Sequence, residues 1–218
     1  MKMIIGQPVH EEQTVQLEAA LKMSREAELI LFPEGYVKEW QLMDVCHLAE
    51  EYSMYIVAGY KDSSLKDRAF IADPSGRLIL DRNKTPEHSG LYQPSKVESN
   101  GNKLGFILCR EVFQGLEGLG EEAVDFIFNP IGVGMFSEHQ FEDWTSEARN
   151  IARSQRAFVI GASHADGSYR NCGFSIPIAY CFDPEGNPIF IHKSDERIIL
   201  LDTERKTADI LGFLQQKI

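Results

Sequence analysis

Ala69–Phe70–Ile71–Ala72–Asp73–Pro74–Ser75–Gly76 has a twin far downstream, Ala179–Tyr180–Cys181–Phe182–Asp183–Pro184–Glu185–Gly186. Each is a short apolar run that ends in Asp-Pro-x-Gly. That ending specifies a tight turn: proline presets one backbone angle, aspartate bonds its own backbone, and glycine accepts a positive φ. Each turn therefore joins two strands, Arg68–Ala72 to Arg77–Asp81 and Ile176–Phe182 to Asn187–Ile191.

The same order of elements precedes both hairpins. Upstream of the first lie an apolar strand at Glu28–Phe32, a helix over Val37–Tyr52 and a strand at Tyr55–Tyr60. Upstream of the second lie Val124–Phe128, a helical stripe through Phe141, Trp144, Thr145, Ala148, Ile151 and Ala152, and Ala157–Ala162. The chain reads as an internal pseudo-repeat in which each half builds one mixed sheet with helices on its outer side, the two sheets packing face to face. No Gly- or Ser-rich linker separates the halves, so residues 1–218 are expected to form one domain. Outside the repeat, Met3–Gln7 reads as an opening strand, Glu11–Glu26 as a helix, Pro86–Asn102 as a polar loop, and Arg197–Leu201 as a last short strand before a mixed tail.

Composition narrows the class. The 218 residues are 43% hydrophobic and 25% charged, ordinary for a globular protein, and the net charge is −11. That charge argues against nucleic acid or an anionic membrane surface as partner, since both select for basic faces. The four cysteines, at 46, 109, 172 and 181, form no CxxC pair and no zinc spacing, so they read as reduced thiols. With no signal peptide in Met1–His10 and no bilayer-length apolar run, the expected location is the cytoplasm.

Three residues stand where strands end. Lys103–Leu104–Gly105–Phe106–Ile107–Leu108–Cys109–Arg110–Glu111 is a buried-type strand that stops at a cysteine. A thiol at such an exit can face a pocket while the Arg110 backbone N–H points at a bound oxyanion. Leu29–Ile30–Leu31–Phe32–Pro33–Glu34 delivers a carboxylate in the same way, and apolar walls would raise its pKa and suit it to proton transfer. Lys84 follows the first hairpin, where an ammonium would stabilise an oxyanion. For each the bland alternative is a small buried hydrophobe (Cys109), a turn glutamate (Glu34) or a surface lysine (Lys84). His88, His139 and His164 fall in loops and read as surface residues, and no dinucleotide, phosphate-loop or metal-ligand pattern occurs.

Phe-Pro-Glu after an apolar strand, Lys after the Asp-Pro-x-Gly hairpin, and Gly-x-x-x-Cys with an acid two residues on resemble the nitrilase superfamily of carbon–nitrogen hydrolases. Asn129–Pro130, Arg149–Ser163 and Gly173–Phe174–Ser175 extend the resemblance over almost the whole chain. It implies an αββα sandwich, commonly paired as a homodimer or higher homo-oligomer, with a Glu-Lys-Cys triad and neither metal nor organic cofactor. Cys109 would then be the nucleophile, Glu34 the proton shuttle and Lys84 the oxyanion partner. Arg110 and Asn129 would stand on the oxyanion and substrate side, and Glu87 is the candidate for the family's second glutamate. The implied substrate is a small amide or carbamoyl compound; the alternative is a fold that has lost catalysis and serves as a binding scaffold. Departures from the family pattern fall around the site: Arg110 replaces an aromatic residue, Phe113–Gln114–Gly115 replaces Phe-Pro-Glu, and the triad spacing is compressed.

Overall fold

A computed structural model describes residues 1–120 and 123–214. The first sheet contains β1 (Lys2–Ile5), β2 (Leu29–Leu31), β3 (Val37–Lys38), β4 (Tyr55–Lys61), β5 (Asp67–Ala72), β6 (Leu78–Asn83), β13 (Ile198–Asp202) and β14 (Thr207–Gly212). Its order is β14-β13-β1-β2-β4-β5-β6, with β3 beside β4. The second sheet contains β7 (Lys96–Ser99), β8 (Asn102–Phe106), β9 (Phe126–Pro130), β10 (Phe158–Ala162), β11 (Ile178–Phe182) and β12 (Pro188–Lys193), in the order β12-β11-β10-β9-β8-β7. Helices α1 (Val15–Leu21) and α2 (Leu42–Tyr52) cover the outside of the first sheet, and α3 (Glu138–Gln155) covers the second.

The repeat is present in detail. β1, β2 and β4 run parallel and β5 and β6 return antiparallel; β8, β9, β10, β11 and β12 repeat that pattern. Both hairpins carry a register shift just before the turn, at Ile71/Ala72 and at Cys181/Phe182. Asp73 Oδ1 accepts the N–H groups of Ser75 and Arg77, and Asp183 Oδ1 those of Glu185 and Asn187.

Strand residues alternate between two buried faces, which is why the runs are continuously apolar. Met3, Ile5, Leu29, Leu31 and Val57 meet Leu104, Phe106, Phe128 and Ile160 between the sheets. Ile4, Ile30 and Ile56 point the other way, onto Leu17 and Leu21 of α1 and Val45 and Ala49 of α2. Ile127, Val159 and Phe182 pack on Trp144, Ala148 and Ile151 of α3. The architecture is the expected four-layer αββα sandwich.

Several elements differ from the sequence reading. The first helix is confined to Val15–Leu21, because the Glu11 carboxylate takes the Gln16 N–H at 2.8 Å and the Tyr36 hydroxyl, folding the preceding residues as bends. Val37 and Lys38 pair with Tyr60 and Lys61 as a strand, and the helix begins only at Leu42. The polar loop contains β7, turned into β8 by Asn100 and Gly101 at φ +50° and +76°. Asn-Gly is the strongest short hairpin signal, and here it outweighs the polarity of its flanks. The tail forms β14 against β13.

Candidate active site

Beyond β2 the chain continues alongside β4: Phe32 N–H donates to Val57 O at 2.9 Å, and Gly35 N–H to Gly59 O at 2.9 Å. This delivers Glu34, with no exposed surface, to the carboxyl end of the parallel strands. The approach is close enough to require glycines. A Cβ on Gly59 would lie 2.9 Å from Glu34 Cα, and one on Gly35, at φ +72°, would lie 1.8 Å from the Tyr169 hydroxyl. Lys84 leaves β6 with its N–H bonded to Asp67 O at 2.9 Å. Its Nζ meets Glu34 Oε1 at 2.5 Å.

Cys109 sits past the end of β8 and opens a short 3₁₀ turn, Cys109–Phe113, at φ +52°. A non-glycine residue in the left-handed region is held there by its surroundings. The holder is Asn129 at the end of β9, whose Nδ2 donates to Ile107 O at 2.9 Å and to Cys109 O at 3.1 Å. Asn129 Oδ1 accepts in turn from Trp144 Nε1 at 3.1 Å and the Tyr180 hydroxyl at 2.7 Å. Both ends of the amide are thus occupied by protein. Asn129, expected on the oxyanion and substrate side, is fully buried and bonded to the backbone of the turn.

A buried ion pair ties lysine and cysteine together. Glu111, two residues after Cys109, receives Arg82 Nη1 at 2.8 Å and Nη2 at 2.7 Å. The same carboxylate takes the Thr85 N–H at 2.6 Å and the Leu108 N–H at 2.5 Å, while Arg82 donates to Asn83 O and Phe106 O. The backbone on both sides of Lys84 and the backbone entering the Cys109 turn are fastened to one pair.

The electrostatics suit a resting thiol with a base beside it. Burial and the Glu34 carboxylate push the Cys109 thiol up to about 12, against the pull of Lys84 and of the Gly132 N–H that bonds to the sulfur. Burial also raises the Glu34 carboxyl, opposed by the Lys84 charge. Burial lowers the Lys84 ammonium, but Cys109 and Glu34 outweigh it and the net shift is upward. Glu34 Oε2, the oxygen not taken by Lys84, has no hydrogen-bond partner among the described residues and lies beside Gly132, where a Cβ would come within 2.7 Å of it.

Glu87 is not brought to this cluster. It lies at the surface, 62% exposed, with Arg110 Nε 3.1 Å from its Oε1. Both line a cavity of about 580 Å³ with Phe113 and Glu117. The carboxylate near Lys84 besides Glu34 is instead Asp67, at 3.8 Å. Asp67 also receives Lys61 at 2.8 Å, the Tyr169 hydroxyl at 3.3 Å and Arg170 at 3.0 Å. Its carboxyl is lowered, because burial is outweighed by these cations.

His164 is fully buried rather than on the surface. Its ring stacks on Tyr169 at 4.6 Å and 2°, and Nε2 lies 3.2 Å from Glu34 O. The signal that could have found it is its place just past β10, an apolar strand end equivalent to those of Glu34 and Cys109.

No family model and no curated protein matches the sequence. Solved structures do match. A CN-hydrolase superfamily protein of Xanthomonas campestris superposes with a TM-score of 0.72 at 14% identity, over 94% of this chain and 92% of that one. Saccharomyces cerevisiae Nit3, a nitrilase superfamily member, gives 0.71 at 14% identity over 97% and 90%. An amidase from Nesterenkonia sp. AN1 gives 0.68 at 15% identity over 93% and 92%. The chain has the αββα fold of the nitrilase superfamily of carbon–nitrogen hydrolases.

Proposed function

We propose that the protein is a cysteine hydrolase of non-peptide carbon–nitrogen bonds, of the amidase or N-carbamoyl amidase type. The observation that carries this reading is the contact of Lys84 Nζ with Glu34 Oε1 at 2.5 Å, beside a cysteine held in the left-handed region at a strand exit. A Glu-to-Gln mutant of the amidase of the same fold from Nesterenkonia has been captured with covalent addition of the acetamide moiety of fluoroacetamide at its active-site cysteine.

In the proposed reaction the Cys109 sulfur bonds to the carbonyl carbon as its proton passes to Glu34. Oε2, which accepts no hydrogen bond among the described residues, is free to take that proton, and a thiol near 12 needs such a base at neutral pH. Lys84 and the Arg110 N–H stabilise the oxyanion. The carbon–nitrogen bond then breaks as Glu34 returns the proton to the leaving ammonia, and a thioester remains. Water, activated by Glu34, attacks that carbon; the acid departs and the thiol is restored.

Ammonia release from small amides and ureido compounds, with mass spectrometry of the quenched enzyme, tests the reading. Turnover with an acyl group on Cys109 is the expected result. No release together with no acylation of Cys109 would instead favour the binding-scaffold alternative.

A further inference from the structure

A cluster of charges lies on the solvent side of Glu34 and Lys84. Asp67 and Glu34 supply two carboxylates; Lys61, Lys84 and Arg170 supply three cations in contact with them. Within this cluster, with Glu34 ionised and the Cys109 thiol protonated, the three cations exceed the two carboxylates by one positive charge. The cation with most exposure carries it outward: the Arg170 side chain is 45% exposed, against 27% for Lys61 and 22% for Lys84.

Arg170 is also held in place. Tyr169 is wedged between the stacked ring of His164 and the bare Cα of Gly35, and the Arg170 guanidinium lies 5.5 Å from the Tyr169 ring centre. Its Nη2 is 3.0 Å from Asp67 Oδ2 and 4.0 Å from Glu34 Oε2. Asp67 is shared with Lys61 and the Tyr169 hydroxyl, so it cannot saturate the five donors of a guanidinium. A planar, fixed donor group that is partly open to solvent is suited to a second carboxylate.

We propose that Arg170 binds a carboxylate carried by the substrate, so that the site takes the amides or carbamoyl derivatives of small acids. The inference rests on the hydrolase reading and adds the substrate class. Asp67 then keeps Arg170 aimed, and Lys84 remains with the reacting carbon.

The test compares malonamate, succinamate and glutaramate with the neutral amide of the same chain length, in wild type, Arg170→Met and Arg170→Lys. Wild type is expected to favour at least one of the anionic amides tenfold or more in kcat/KM. Arg170→Met should cut that preference about tenfold to a hundredfold, chiefly through KM, the loss expected for one charged hydrogen-bonding partner. Arg170→Lys should retain part of it. Neutral amides turned over with no anionic preference would overturn the inference and leave the hydrolase reading standing. An equal fall for both substrate classes in Arg170→Met would also overturn it, assigning Arg170 to Glu34 instead. No turnover of any amide, with Cys109 never acylated, would remove the hydrolase reading itself.

Discussion

The Glu111 carboxylate and the Arg82 guanidinium meet through two hydrogen bonds, at 2.8 and 2.7 Å, with 0% and 2% of their side chains exposed. The pair spans the seam between the sheets, since Arg82 belongs to β6 and Glu111 follows β8. Glu111→Gln should leave the arginine charge buried without its partner. Breaking a buried pair on one side typically costs about 3–5 kcal/mol. Urea unfolding should register that loss, and any turnover surviving in the variant should be reduced because Lys84 and Cys109 are no longer fastened to one point.

Cys109 should not behave as an activated thiolate in the resting protein, because burial and Glu34 push its thiol up to about 12. Iodoacetamide at neutral pH should reach it with the help of the Glu34 base, ahead of buried Cys46 and Cys181. Glu34→Gln should slow alkylation of Cys109 and leave that of exposed Cys172 unchanged, as peptide mapping would show. Equal rates at Cys109 with and without Glu34 would contradict the assigned base.

His164 gives stability a pH dependence of definite sign. Burial lowers its imidazole to about 4, against an ordinary value of 6.5. The unfolded chain therefore binds a proton near pH 6.5 that the native protein refuses until about pH 4. This contribution is fully present above pH 6.5 and is lost as pH falls from there toward 4. His164→Phe, which keeps a ring to stack on Tyr169, should flatten the fall in urea midpoint across that window.

How legible these groups were depends on whether their signal is local. The Asp-Pro-x-Gly turns and the apolar runs at Leu29–Leu31 and Phe126–Phe128 carry their own chemistry, so the two sheets could be read directly. Glu34 and Cys109 were visible because each ends such a run, and Lys84 because it follows the first hairpin. Arg170 could be named as a charge able to meet a substrate carboxylate but not placed, and Asp67 was not visible at all, since the two are 103 positions apart and meet only when the sheets pack. Glu87 was placed by its distance to Tyr92–Gln93–Pro94 and to Cys109, yet the loop turns it outward to Arg110. The edge strands β7 and β14 escaped because half-exposed polar residues leave no apolar alternation to follow.

Gly132 provides the sharpest test of the geometry around the base. A Cβ there would stand 2.7 Å from Glu34 Oε2 and 3.1 Å from the Tyr169 ring. The carboxylate cannot yield easily, because its other oxygen is fixed on Lys84 at 2.5 Å. Gly132→Ala should therefore shift Glu34 relative to the Cys109 thiol while leaving the sheets alone. A displacement on the order of 1 Å in a reacting group can cost about 10²-fold in rate. Steady-state kinetics should show that loss in kcat with little change in KM, while the thermal midpoint falls by only a few degrees. A variant with wild-type kcat would mean that Glu34 Oε2 is not the oxygen that takes the proton.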